Sequence, residues 1–353
     1  MPSERDLTWM QCVPEALSLW GVDDAEVRPL SLSENATYAV RPRATASGSA
    51  ARPGARYALR LHRPGYRTAS NIRSELAWVD ALDRESDVET AAIVPTLRGD
   101  CLGEFVGRDG AAHYAVLQAF LEGKEPLEDG LERSAARIGG VAAALHRHAA
   151  RWERPEGFDR IVWDERRILG ADSDYGDWRD TPEVDANLRA LLELAEAKVL
   201  DELAAYGKSP ETFGLIHTDL RSSNLLIDDA GSIKVLDFDD CGFGWYAFDV
   251  ACTFSFEEAN PRLDDMVLAY LRGYRAAGGV LSTADFARVP AMLMARRLML
   301  VAWVEKRRET AYARQIRGWY VSQTRRVAQA YLDGRYLPRT TAAALGGGLS
   351  AVA

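Results

Sequence analysis

At Gly123 the hydrophobic pattern of the chain changes period, and this change restricts the possible folds more than any other feature. Before it, runs rich in Val, Leu and Tyr at 26–32, 37–43 and 56–61 read as β-strands, with further strand candidates at 92–97 and 113–120. Residues 44–54 are small, polar, Gly or Pro and read as an exposed hairpin loop; 98–110 read as a second hairpin-like connection. Within this β-rich third, 69–82 carries Ile72, Leu76 and Val79 at helical spacing, with Ser70 or Asn71 as candidate cap. After Gly123 the segments 131–150, 184–206, 261–277, 286–308 and 311–332 are long and amphipathic. They are interrupted by 213–238, where two short apolar runs flank the turn Asp228-Asp229-Ala230-Gly231. The expected fold is α+β and bilobal: a small β-rich N-lobe with one helix (1–118) and a large, mainly helical C-lobe (119–335). The stretch 336–353 is expected to be a flexible tail, because Gly346, Gly347 and Gly348 leave it little to pack.

Composition removes several classes of function. A net charge of -9 argues against nucleic-acid binding, which needs a basic footprint. The four cysteines, Cys12, Cys101, Cys241 and Cys252, form no CxxC pair, and no histidines stand at zinc spacing, so neither a disulfide framework nor a structural metal is expected. The most apolar helical stretch, 291–304, is broken by Arg296 and Arg297 and is too short to span a bilayer. The first six residues carry charges of both signs and no apolar signal core. A cytoplasmic protein that binds no membrane is the expectation.

The interruption at 213–238 sets strongly polar side chains, among them His217, Asp219, Arg221 and Asn224, between apolar anchors, and Asp237, Asp239 and Asp240 follow. Phosphoryl transfer from ATP needs a carboxylate to accept or orient the proton of the attacking hydroxyl. It also needs hard oxygen ligands to hold Mg2+ against the phosphates. The spacing H-x-D-x-x-x-x-N, followed by an Asp at the end of a short hairpin, supplies these groups: Asp219 as base, Asn224 as neutral metal ligand, Asp237 as charged one. A lone Asp in a turn is ordinarily a cap or an Asx turn; five polar positions at matching offsets are not.

On these residues the chain resembles the aminoglycoside phosphotransferase/choline kinase superfamily, within the protein-kinase-like fold, and in particular its homoserine kinase type II and stress-response kinase branch. The resemblance implies ATP and Mg2+ as cofactors, Asp219 as catalytic base, Asn224 and Asp237 as metal ligands, and His217 as organiser of the loop. Asp249 matches a residue that braces the catalytic loop from the following helix. In the N-lobe the resemblance assigns nucleotide binding to four places. The turn at 31–38, with Ser33 and Asn35, stands where the family clamps phosphates, though an ordinary hairpin turn fits equally. Arg60 occupies the strand position of the usual phosphate-contacting Lys, and Glu75 is the matching helix carboxylate; alternatively both are solvated charges. Gln118, Ala119 and Leu121 fall on the last N-lobe strand and hinge, where main-chain groups of Ala119 and Leu121 would hold adenine.

The acceptor is expected near the catalytic loop and residues 242–248. Phe243, Trp245 and Tyr246 are either its wall or core. Asp239, Asp240 and the acidic loop 172–180 are either attractors of a cationic acceptor or a solvated surface. His146 and His148 read as structural. Three classes follow: a kinase for a small hydroxylated molecule (amino alcohol, sugar or aminoglycoside-like antibiotic), a protein Ser/Thr kinase, and a silent nucleotide-binding module. The acceptor is a small molecule in the first, and the protein would be a monomer or homodimer.

Overall fold

The structure, a computed structural model, describes residues 4–32, 35–107, 110–126, 131–170 and 172–346. It is α+β, with a β-sheet region followed by a helical one, and the chain divides into two compact units. The first is Met1–Glu122 together with Arg154–Arg160; the second is Gly123–Glu153 with Ile161–Ala353.

The first unit contains α1 (Glu4–Ser18), β1 (Asp24–Leu32), β2 (Ala36–Ala44), β3 (Tyr57–Leu61), α2 (Ala69–Glu85), β4 (Glu89–Thr90), β5 (Ile93–Val94), β6 (Gly103–Val106) and β7 (Ala112–Ala119). Its main sheet runs β1-β2-β3-β7-β5, with β6 also paired to β7, and every pairing is antiparallel. Strand alternation sorts the side chains into two layers. Leu59, Ala115 and Leu117 join Val13, Ala16, Leu17 and Trp20 of the N-terminal segment, whereas Val116 joins Ile72 and Leu76 of α2. β1 lies at the edge, where Pro29 can be tolerated because no ladder donor is needed there.

Four expectations for this unit are corrected. The N-lobe has two helices: α1 carries Val13, Ala16 and Leu17 at helical spacing, a signal short enough to escape notice beside Pro14. The connection 98–110 contains a strand, β6, and the strand placed at 92–97 shrinks to two residues. The cap of α2 is Thr68, whose Oγ1 accepts the Asn71 N–H at 3.1 Å, rather than Ser70 or Asn71.

The second unit comprises α3 (Leu131–Arg151), β8 (Ile161–Trp163), α4 (Glu165–Ile168), α5 (Ala186–Tyr206), β9 (Phe213–Ile216), β10 (Leu225–Ile227), β11 (Ile233–Val235), β12 (Gly242–Trp245), α6 (Tyr246–Thr253), α7 (Leu263–Ala276), α8 (Val289–Lys306), α9 (Ala311–Leu332) and α10 (Pro338–Gly346). α8 is buried on nearly all sides, which explains why it reads as apolar throughout. α3 and α7 touch backbone to backbone: a Cβ on Gly273 would stand 1.8 Å from the Ala136 carbonyl oxygen, and one on Gly139 2.1 Å from that of Tyr270. In the interruption, β10 and β11 form the expected hairpin, with Leu225 opposite Val235. β12 runs parallel to β8 and antiparallel to β9, so the ends of β9 and β12 bracket the polar loop.

The tail is a further correction. Residues 338–346 form α10, fastened by Asp264, whose Oδ1 accepts from the Thr340 N–H at 3.0 Å and from its Oγ1 at 2.7 Å. Residues 347–353 lie outside the described residues. No described helix is long and apolar enough to cross a membrane.

Candidate active site

The loop leaving β9 is forced into an unusual backbone. Thr218 has φ +66°, a left-handed conformation that a β-branched residue adopts only when its surroundings impose it. Asp249, wholly buried on α6, imposes it. Its Oδ1 accepts the Thr218 N–H at 2.6 Å and its Oδ2 the His217 N–H at 2.9 Å, while His146 Nε2 stands 3.0 Å from Oδ2. Thr218 Oγ1 donates to the Asp240 carbonyl at 2.6 Å, tying the loop to the start of β12. Burial would push the Asp249 carboxyl up. The hydrogen bond and charge of His146, with His217, outweigh it and hold Asp249 below its ordinary value.

His217 links the two arms of the interruption. Its Nε2 lies 3.0 Å from the Leu236 carbonyl and its Nδ1 accepts the Asp219 N–H at 3.3 Å, a pair of partners matched by the Nε2–H tautomer. Leu236 N–H in turn donates to the Asn224 carbonyl at 2.8 Å. Asp219, Asn224 and the residue before Asp237 are thus brought into one hydrogen-bonded assembly.

Asp219 presents a carboxylate contacted on both oxygens. Arg296 Nη2 donates to Oδ1 at 3.0 Å; Asn224 Nδ2 at 2.7 Å and Arg221 Nε at 3.2 Å donate to Oδ2. Burial raises its pKa, but the Arg221 and Arg296 guanidiniums, His217 and the Asn224 amide together hold it below the usual carboxylate range, so it is ionised at neutral pH. Burial works against the Arg296 charge, but Cys252, Asp219, Tyr175 and Glu258 around it together more than compensate and hold its pKa above the ordinary value.

The donor set suits a hard divalent cation. Asn224 directs its NH2 group at Asp219, to the carboxylate and also to the carbonyl at 2.9 Å; an amide oxygen facing that carboxylate would be repelled, so the assignment is fixed and Oδ1 is left to offer a cation. Asp237 is an exposed carboxylate at φ +55°. Among the described residues no three His, Cys, Asp or Glu side chains gather as a metal cage. One carboxylate and one amide oxygen nonetheless fit Mg2+, which completes its shell with water and phosphate oxygens.

Other sequence candidates sort clearly. Trp245 and Tyr246 are buried core, not an acceptor wall; Phe243 is half-buried. The acidic loop is largely compensated, since Asp172 pairs with Arg166 at 2.9 Å and Asp174 with Arg167 at 2.6 Å. Asp239 is buried; Asp240 is half-buried and its Oδ2 accepts from the Tyr175 hydroxyl at 3.2 Å. His146 is a core residue bonded to Tyr274 at 2.8 Å. Arg296 and Ser255 were not legible as site residues. The one available signal was a charge inside an otherwise apolar helix, which must find a counter-charge when buried.

In the first unit, Arg60 and Glu75 form a buried ion pair, Nη2 to Oε1. Asn35 is buried and its Oδ1 accepts the Arg63 N–H at 3.1 Å, bracing the turn after β3. Ser33 lies outside the described residues. Gln118 Nε2 donates to the Ala91 carbonyl at 3.2 Å and the Ala119 N–H to that of Ala92 at 2.8 Å, so these donors are committed within the unit. Leu121 follows the last such bond, from the Phe120 N–H to Arg56, and its N–H has no main-chain partner among the described residues.

Comparison with known proteins adds an independent line. The family model described as "Phosphotransferase enzyme family" matches residues 26–286. The structure of a microcompartment-associated aminopropanol kinase is 35% identical, with a TM-score of 0.83 over 93% of this chain and 99% of that one. An amicoumacin kinase in complex with AMP-PNP, Ca2+ and Ami is 18% identical, with a TM-score of 0.71 over 93% and 94%. A spectinomycin phosphotransferase bound to ADP and its antibiotic is 12% identical, with a TM-score of 0.60 over 94% and 99%; these last two share the fold. No curated protein sequence matches the chain.

Proposed function

The chain belongs to the phosphotransferase enzyme family, and from that premise we propose that it transfers the γ-phosphoryl group of ATP, with Mg2+, to the hydroxyl of a small amino alcohol. The observation that carries the reading is the Asp219 carboxylate, ionised, contacted on both oxygens and joined to an Asn224 amide whose Oδ1 is left for a cation. The choice of an amino alcohol is supported by 35% identity to an aminopropanol kinase across nearly the whole of both chains.

In this mechanism Asp219 orients the acceptor hydroxyl and takes its proton as the oxygen attacks phosphorus. Because its pKa is held low, it acts chiefly by positioning, as a loose phosphoryl-transfer transition state requires. His217 and Asp249 hold the loop that presents it. Asn224 Oδ1 and Asp237 would hold Mg2+, which when bound neutralises charge on the phosphate oxygens. Arg60, fixed by Glu75, is the candidate contact to the α- and β-phosphates, and the Leu121 N–H the candidate adenine donor.

The test is an ATP-consumption screen over amino alcohols, sugars and aminoglycosides, with a generic protein acceptor alongside. Turnover is expected with an amino alcohol. Turnover confined to a sugar, an antibiotic or the protein acceptor would replace that substrate class. Asp219→Ala is expected to lower kcat by about 10³-fold or more while binding Mg·ATP nearly as the wild type does. Wild-type turnover in that variant would remove Asp219 from the mechanism.

A further inference from the structure

α8 carries two adjacent arginines in a helix whose other residues from Val289 to Val304 are all apolar. Successive residues on a helix point about 100° apart, so Arg296 and Arg297 cannot share one environment. Arg297 is fully buried and anchored. Its Nη1 lies 3.0 Å from Glu258 Oε2, its Nε donates to Thr324 Oγ1 at 2.8 Å, and its guanidinium lies over the Tyr320 ring, 3.6 Å from the centroid. With Arg297 fixed against α9 and the Glu258 turn, Arg296 is directed toward the catalytic loop. Its Nε donates to Ser255 Oγ at 2.9 Å, and that hydroxyl donates to the Cys252 carbonyl at the end of α6 at 2.8 Å. Its Nη2 reaches Asp219 Oδ1 at 3.0 Å.

We infer that Arg296 is the positioning residue of the phosphotransfer centre, setting the rotation of the Asp219 carboxylate from the side opposite to Asn224. This rests on the reading of Asp219 proposed above. The division of labour between the two guanidiniums is geometric. Arg221 is partly exposed and touches Asp219 through Nε alone, from two residues along the same loop. Arg296 has a side chain only 4% exposed and spans 77 residues of sequence, with both its loop-facing nitrogens committed. A carboxylate turns about its last side-chain bond. Asn224 and Arg221, both on Oδ2, leave that turn open; the buried donor on Oδ1 closes it.

The prediction separates kcat from KM. Arg296→Met is expected to lower kcat by about 10²-fold with the KM for ATP within about twofold, because orientation is lost while nucleotide contacts persist. Arg296→Lys keeps the charge but cannot bridge Ser255 and Asp219 with a planar fork, and is expected to recover about tenfold of the loss. Ser255→Ala, which removes one of the two anchors, is expected to lower kcat several-fold by the same logic. A kcat within twofold of wild type in Arg296→Met, or a loss confined to the ATP KM, overturns the assignment. Should Arg296→Met fail to fold in a thermal melt, Arg296→Lys and Ser255→Ala decide, and wild-type kcat in both overturns it. Asp219→Ala measured alongside separates the two levels: if it is active, the reading of Asp219 falls; if it is inactive while the Arg296 variants turn over normally, only Arg296 loses its role.

Discussion

Asp219 and Asn224 stand five residues apart, so their hydrogen bond follows from one turn of chain and the spacing alone announces it. Asp249 was expected through the resemblance alone, and the structure sets its carboxylate, in the first turn of α6, on the N–H groups of residues 217 and 218. Arg296 was not legible, because its contact is created by the packing of α8 and by nothing local. The Arg60–Glu75 pair lies between these cases. It was expected by analogy, and the structure buries it with both side chains nearly inaccessible, which rules out two solvated charges. Removing one partner of a buried pair leaves the other uncompensated. Arg60→Met is therefore expected to cost about 3 kcal/mol or more in urea unfolding, and Arg60→Met combined with Glu75→Met less than the single change. Equal costs for the single and double variants would show that Glu75 finds another counter-charge.

Among the elements, those with long periodic faces matched the sequence closely: α9 runs Ala311–Leu332 as expected, and α2, α5, α7 and α8 differ only at their ends. The failures share a cause. β6, α1 and α10 are short or interrupted by Pro, and each owes its order to what it packs on rather than to its own pattern: α1 to the sheet core, α10 to the Asp264 cap. The α3–α7 contact also belongs to this scale. Two glycines let the helix backbones meet, and no periodicity reveals that residue 273 faces a carbonyl. Gly273→Ala is expected to destabilise the second unit by about 3 kcal/mol, seen as a lower melting temperature, whereas Gly318→Ala, with open space around it, should leave the melt within a degree or two. A Gly273→Ala melt equal to wild type would mean that the helices separate at little cost.

At the scale of the whole molecule, acid sensitivity should trace to Asp249. Its folded pKa lies below its unfolded value, so its contribution to stability is present above the unfolded value of about 3.9 and is lost as pH falls through the folded one. Asp249→Asn is expected to be less stable than wild type at pH 7, with the gap closing below about pH 4; a gap that stays constant to pH 3 would remove Asp249 as its source. The division into two units was visible as a change of period, but the recruitment of 154–160 into the first unit was not, since it depends on the Asp159 N–H meeting Ser74 Oγ at 2.9 Å and Asp159 Oδ2 accepting from Asn71 at 2.7 Å. The paired arginines of α8 carry a last consequence, for how such a chain can diverge. Inserting or deleting one residue ahead of them would rotate both by a third of a turn, unseating the structural anchor and the catalytic contact in a single event. Ahead of that pair, this helix can change by substitution but not by length.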